Sequence, residues 1–299
     1  MGKPYKLILW GLGKEYNSHV MCLKHQESLN EIRINAVTAN EIPHYSRIDG
    51  WPLIEKEKIK RTAFDYILVM NEVYQDEIVT DIMKLGIERK RILPCRILDI
   101  PYFTWSRYIR LLESEISILS NNCWGGIVCR TLGMECRSPF KNLALSAKDL
   151  LELLPNLQEN VMEKPEFVEF RKEVHSGIRY PVMRLKNAYI HFNHDTSVEE
   201  ALEKWNRRLK KINYNNLFVE IYTEDRDVVE HFISLKTKKK ACFVPRGFGI
   251  KDPNVYELEM LPGQKEFWEV VNSNVSNGAN SYLLDIISLL AGEKKYRVD

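Results

Sequence analysis

The run AFDYILVM, residues 63–70, is apolar at almost every position. A strand wetted on one face alternates polar with apolar residues, so a strand apolar throughout is covered on both faces. That requirement constrains the chain more than any other feature, because it calls for helices on either side of a sheet. The neighbouring segments supply them. KLILW (6–10) and EIRINAVTA (31–39) read as further strands, and RILPC (91–95) as a fourth. Between them, KEYNSHVMCLKH places Tyr16, Val20 and Leu23 on one helical face, and YQDEIVTDIMKLGI is an amphipathic helix closed by Gly86. Strand and helix alternate, which predicts an α/β fold with a Rossmann-like parallel sheet at the N-terminal end.

The chain has 299 residues, enough for two domains with separate cores. DIPYFTWSRYIRLLESE reads as a linking helix, after which the pattern restarts with the strand ISILS. The expected division is 1–112, Rossmann-like, and 113–299, a larger α/β domain. Within the latter, SAKDLLELLPNL, SVEEALEKWNRRL and DRDVVEHFISL read as helices, NLFVEIY and ACFVP as strands, and RGFGIKDPNVYELEMLPG as turn-rich. SYLLDIISLLAG reads as a last amphipathic helix.

The first strand-to-helix turn carries part of a phosphate-binding pattern. Gly11 and Gly13 fill two positions of GxGxxG, but Tyr16 stands at the third. Where a dinucleotide site wants a ribose-binding carboxylate, the chain has Thr38-Ala39-Asn40, with Glu41 one step late. Gly11, Gly13 and Lys14 are therefore candidates for holding a nucleotide or nucleotide-sugar on backbone N–H groups, without NAD chemistry. A tight turn with no ligand is the plainer alternative.

A formal net charge of +2 carries no electrostatic footprint for nucleic acid, and KTKKKA (236–241) reads as a solvated turn. No apolar stretch is long enough to insert in a membrane, and MGKPYKLILWGLG lacks the form of a signal peptide. The expectation is a cytoplasmic protein with reduced thiols and a small-molecule partner, with self-association left open.

SNNCWGG (120–126) puts a thiol and an indole into a turn between a strand and a short helix, GGIVCRTLGM. A helix N-terminus favours thiolate, so Cys123 reads as a nucleophile candidate. NAYIHFNHD supplies a base in His194 and an orienting group in Asp195, just past a strand end. Ser197 and Glu200 form a capping box for the helix that follows. Asn122 could donate to an oxyanion. Trp124 beside the thiol, and Arg207 and Arg208 on the following helix, are substrate-binding candidates. Two other readings of Cys123 stand open: a metal site with Cys129, Cys136, His191 and His194, whose spacing is poor, and a small buried residue in an architectural turn.

The stretches LWGLGK, IDGWPLI, FDYILVM and KLGIERKRIL resemble the small Rossmann-like domains of bacterial sugar-modifying and polysaccharide proteins. SNNCWGGIVCRTLGMECRSPFKNL and YPVMRLKNAYIHFNHDTSVEEALEKWNRRLKKINYNNLFV resemble a bacterial exopolysaccharide biosynthesis family of unknown function. That resemblance implies an enzyme or accessory factor of surface-polysaccharide biosynthesis with a glycan-precursor ligand. The rival function is a non-catalytic nucleotide-sugar-binding or scaffold protein of the same pathway. The positions Cys123, Ser138-Pro139-Phe140, His194-Asp195 and Arg207-Arg208 are also similar to bacterial cysteine peptidases of papain-like type. This second likeness implies Cys123 as nucleophile and His194 as base, although the glutamine those enzymes use for the oxyanion has no counterpart here.

Overall fold

The computed structural model describes residues 3–173, 176–260, 262–273 and 284–293. The chain forms two compact units, Met1–Arg110 with Thr131–Met134, and Leu111–Arg130 with Glu135–Asp299.

The first unit runs β1 (Tyr5–Trp10), α1 (Lys14–Ser28), β2 (Ile32–Thr38), a small hairpin of β3 (Arg47–Ile48) and β4 (Trp51–Pro52), β5 (Tyr66–Val69), α2 (Gln75–Lys84) and β6 (Ile92–Pro94). The helix α3 (Trp105–Glu113) follows. β2, β1, β5 and β6 form a parallel sheet in that order. The apolar run that demanded cover on both faces has it: Ile67, Leu68, Val69 and Met70 are fully buried. Ile8, Trp10, Ala36 and Val69 pack with Ile78 and Ile82 of α2. At the end of α1, the Gln26 side chain accepts from Trp105 Nε1 at 2.8 Å.

The second unit opens with β7 (Ser117–Ser120) and α4 (Trp124–Thr131), then α5 (Ala147–Leu153) and α6 (Leu157–Met162). The Ser146 side chain caps α5 by accepting from Asp149 N. β8 (Glu166–Lys172), β9 (Arg179–Leu185) and β10 (Ala188–His191) make an antiparallel sheet, with β9 central. α7 (Val198–Leu209), β11 (Leu217–Tyr222), α8 (Arg226–Ser234), β12 (Lys240–Pro245) and β13 (Val255–Leu258) follow, then α9 (Phe267–Ser273) and α10 (Ile286–Ala291). β13, β12, β11 and β7 form a second parallel sheet, so the chain is α/β in both units.

Three expectations are corrected. Simple strand–helix alternation in the second unit fails at the β8–β9–β10 sheet. The outer strand β8, EFVEFRK, is exposed at every residue and carries no alternation to mark it. The segment read as turn-rich contains β13, short but deeply packed. The helix expected over SYLLDIISLLAG begins at Ile286, with Asp285 as its cap, and Ser281–Leu283 lie outside the described residues. No helix among the described residues is long and apolar enough to cross a membrane.

One core cluster of the second unit lies on one face of its parallel sheet. Leu119, Val219, Ile221, Cys242 and Val244 pack there against Leu150 of α5, Trp205 of α7 and Phe232 of α8. Trp205 meets Phe140 and Phe192 edge to face. Lys240, the first residue of β12, donates to the carbonyls of Phe232, Ile233 and Leu235, closing the C-terminal end of α8.

Candidate active site

The turn SNNCWGG follows the carboxyl end of β7 in the parallel sheet, the side of an open α/β sheet where ligands bind. Cys123 stands immediately before α4, and its carbonyl accepts the first helical hydrogen bond from Ile127 N at 3.0 Å. The two glycines have separate reasons. A Cβ at Gly125 would meet Ile118 Cγ2 at 3.0 Å and Ser120 Cβ at 3.2 Å, so the first turn of α4 lies close on β7. A Cβ at Gly126 would meet Asn142 Oδ1 at 1.9 Å.

His194 arrives from the antiparallel sheet. β10 ends at His191, Phe192 N donates to Pro181 O at 3.0 Å, and Asp195 N closes the turn on Phe192 O at 2.9 Å. Phe192 and Asp195 face inward and His194 is exposed. The result places His194 Nε2 3.5 Å from Cys123 Sγ, a sulfur–nitrogen hydrogen bond across 71 residues of chain.

Beneath the thiol is a residue that the sequence reading passed over. Glu220, in the middle of the apolar strand LFVEIY, is fully buried. Its carboxyl accepts from the Ser120 hydroxyl and from Asn122 Nδ2, at 3.1 Å to Oε1 and 3.3 Å to Oε2. The Ser120 oxygen in turn accepts from Gly125 N at 3.2 Å. Asn122 Oδ1 accepts from Trp124 N at 2.6 Å. Strand end, turn and first helical turn are thus tied to one buried carboxyl group. Its one visible signal was an acidic residue inside an otherwise apolar strand, where an unpaired charge would be very costly.

Burial raises the Glu220 pKa to about 8, against a smaller lowering by the hydrogen bonds from Ser120 and Asn122. Cys123 is also pushed up, first by its own burial and then by the negative charge of Glu220. This corrects the expectation of a thiol activated by the helix N-terminus. Burial and the Glu220 charge both act against the field of the helix N-terminus.

Several candidates do something other than expected. Asp195 does not orient His194. It is 2% exposed, its Oδ1 takes the Lys204 ammonium, and its Oδ2 is buried without a partner. Adjacent residues in a turn point apart, which is why His194 is outside and Asp195 inside. Asn122 is no free oxyanion donor, because its amide is held by Glu220 and by Asn121 Oδ1 at 3.2 Å. Trp124 is fully buried and cannot touch substrate. It stacks on Phe218 at 5.9 Å and packs against Phe243 at 5.6 Å. Arg207 is exposed and pairs with Glu203 at 3.4 Å. Arg208 is half-buried, with Nη1 lacking a partner.

The capping box at α7 forms in modified shape. Ser197 Oγ accepts from Glu200 N at 3.1 Å, while the Glu200 carboxylate reaches back to Thr196 N at 3.1 Å. His191 pairs through its backbone with Ala144, and its ring meets the Tyr180 hydroxyl at 3.3 Å. Among the described residues, no group of three or more His, Cys, Asp or Glu side chains could hold a metal ion.

In the first unit, Gly11 has φ of +124°, and a Cβ there would meet the Met70 carbonyl oxygen at 2.8 Å. Its place is explained by the close passage of β1 past the end of β5. Gly13 has open space around it and precedes α1, where Lys14 is exposed. Tyr16, in place of a third glycine, is buried and donates to Asp49 at 2.8 Å.

Residues 96–290 match the model of a family described as a domain of unknown function, DUF1919. Residues 3–93 match a model described as C2185-like, N-terminal. Over 178 residues the chain is 30% identical to an uncharacterized protein of Haemophilus influenzae, an alignment covering 58% of this chain and 82% of that protein. These descriptions name no reaction and no pathway, so the surface-polysaccharide assignment stays with the resemblance that suggested it.

Proposed function

The chain belongs to the DUF1919 family, and for this member we propose thiol-dependent hydrolysis or group transfer, with Cys123 as nucleophile and His194 as the base that takes its proton. The observation supporting this reading is the 3.5 Å approach of Cys123 Sγ to His194 Nε2, with the imidazole open to solvent. Because burial favours the neutral thiol, proton transfer to His194 accompanies attack rather than preceding it. Sulfur attacks an electrophilic carbonyl or comparable centre, the leaving group departs, and water or an acceptor then releases the covalent adduct.

An acyl probe tests the reading without knowledge of the substrate. The full chain is incubated with p-nitrophenyl acetate, and the acetyl group is located by peptide mass spectrometry. Acetylation of Cys123 that falls at least tenfold in His194→Ala supports the proposal. Labelling confined to other residues, or labelling of Cys123 indifferent to His194, overturns it and leaves the turn an architectural one.

A further inference from the structure

Strand β8, Glu166–Lys172, is an outer strand of the antiparallel sheet, and among the described residues it is laddered on one side only, to β9. An outer strand offers its remaining backbone N–H and C=O groups to any extended partner, so such edges are usually short or covered. β8 is seven residues long and exposed at each of them. Its apolar side chains are exposed too: Phe167 at 46%, Val168 at 44% and Phe170 at 38%. In a regular strand, residues three apart face opposite ways. Here the ladder skips Val168, pairing Phe167 with Met183 and Glu169 with Val182. This bulge turns Phe167 and Phe170 to one side, with ring centroids 5.1 Å apart.

The charges of β8 are sorted along its length. Glu166 and Glu169 come first, and Arg171 and Lys172 close the strand. A strand so ordered repels a parallel copy of itself and attracts an antiparallel one. We propose that β8 is a homodimer interface, in which two copies of this chain pair their β8 strands antiparallel about a two-fold axis between Val168 and Glu169. The two three-stranded sheets then become one continuous sheet.

That axis sets Glu166 of each copy opposite Arg171 of the other, and Phe167 opposite Phe170. It leaves Val168 facing Glu169 at the irregular centre, where the bulge lies. Neighbouring registers match less well. Centred on Glu169, the axis keeps Glu166 with Lys172 but sets Glu169 against itself and Phe167 against Arg171. Centred on Val168, it faces Glu166 with Phe170. A foreign strand has no need of a sequence complementary to its own reverse, whereas a second copy requires one. Within one copy, Glu166 pairs with Arg184 at 2.7 Å and Arg171 with Glu169 at 2.6 Å. All four side chains are exposed, so these pairs are weak and can exchange partners.

Sedimentation equilibrium of the full chain tests the interface, with Glu166→Arg and Arg171→Glu as variants. Both positions are exposed, and circular dichroism verifies that each variant is folded. The wild type is expected to dimerise. Each variant alone should weaken the dimer about tenfold or more, because it turns both Glu166–Arg171 contacts into like-charge contacts. An equimolar mixture of the two variants should recover the dimer, since every facing pair at these positions is then of opposite charge. A wild type that stays monomeric at high micromolar concentration overturns the proposal. So does a dimer indifferent to both substitutions, or a mixture that associates no better than either variant alone. Slow hydrogen exchange along β8 in a monomeric protein also overturns it, and assigns the cover of the strand to the same chain.

Discussion

Ser120 and Glu220 stand opposite each other across the β7–β11 ladder, and the Ser120 hydroxyl donates to the Glu220 carboxyl group. Parallel register puts both side chains on one face of the sheet, directly under the first turn of α4. The buried carboxyl accepts from Asn122 as well, and the Ser120 and Asn122 side chains in turn accept from Gly125 N and Trp124 N. The position of the sulfur is inherited from that network.

Stability should fall as pH rises, and Glu220 should be a principal cause. Its folded pKa of about 8 lies above the ordinary 4.5. The folded state therefore binds more protons than the unfolded state between those values. Its contribution is complete below about 4.5 and is lost as pH climbs through about 8. Each unit of separation is worth about 1.4 kcal/mol, as an upper bound for so buried a group. Urea unfolding of Glu220→Gln, repeated across that range, should show a flatter dependence on pH than the wild type. An identical slope in both proteins counts against an ionisable Glu220.

The alkylation midpoint of Cys123 should lie above that of free cysteine in the wild type and move down in Glu220→Gln. Removing the carboxylate removes the negative charge that adds to the effect of burial. Iodoacetamide labelling of Cys123 as a function of pH reads both midpoints. A wild-type midpoint below that of free cysteine refutes the upward shift of the thiol.

Trp124 is a structural residue, so Trp124→Ala should cost about 3–5 kcal/mol of stability. Trp124→Phe should retain much of the packing on Phe218 and Phe243. Chemical denaturation distinguishes these outcomes. A stable Trp124→Ala protein is incompatible with the buried position.

The first-unit glycines should differ sharply. Gly11→Ala meets a backbone oxygen from a left-handed position and should lose roughly 1–3 kcal/mol. Gly13→Ala meets nothing and should lose no more than about 1 kcal/mol as a helix cap. Urea midpoints of the two variants provide the comparison.

Lys204→Met should destabilise the second unit by roughly 1–3 kcal/mol, because it leaves the Asp195 carboxylate buried without its cation. Lys204→Met combined with Asp195→Asn should recover part of that loss. Equal stability of the single and double variants contradicts the pairing.

How far the sequence spoke can be judged residue by residue. AFDYILVM demanded cover on both faces, and Ile67–Met70 have it, because burial of an apolar strand is a local requirement that a pattern displays. The cap at Ser197 was legible for the same reason: its bond to Glu200 N spans three residues. β8 was not legible, since its pairing with β9 leaves it exposed throughout and imposes no alternation. Asp195 and Trp124 carried the right chemistry beside the right residues, yet the turn and the helix rotate them into the interior.

Local composition was sufficient to set the α/β class and to mark Cys123 and His194 as residues whose chemistry could combine. Only tertiary structure decided that they meet, that Glu220 lies close by, and that burial pushes the thiol upward. Proximity across 71 residues depends on how two sheets are placed within one unit. A pKa depends on how much water burial removes, and neither quantity is carried by neighbours in the chain.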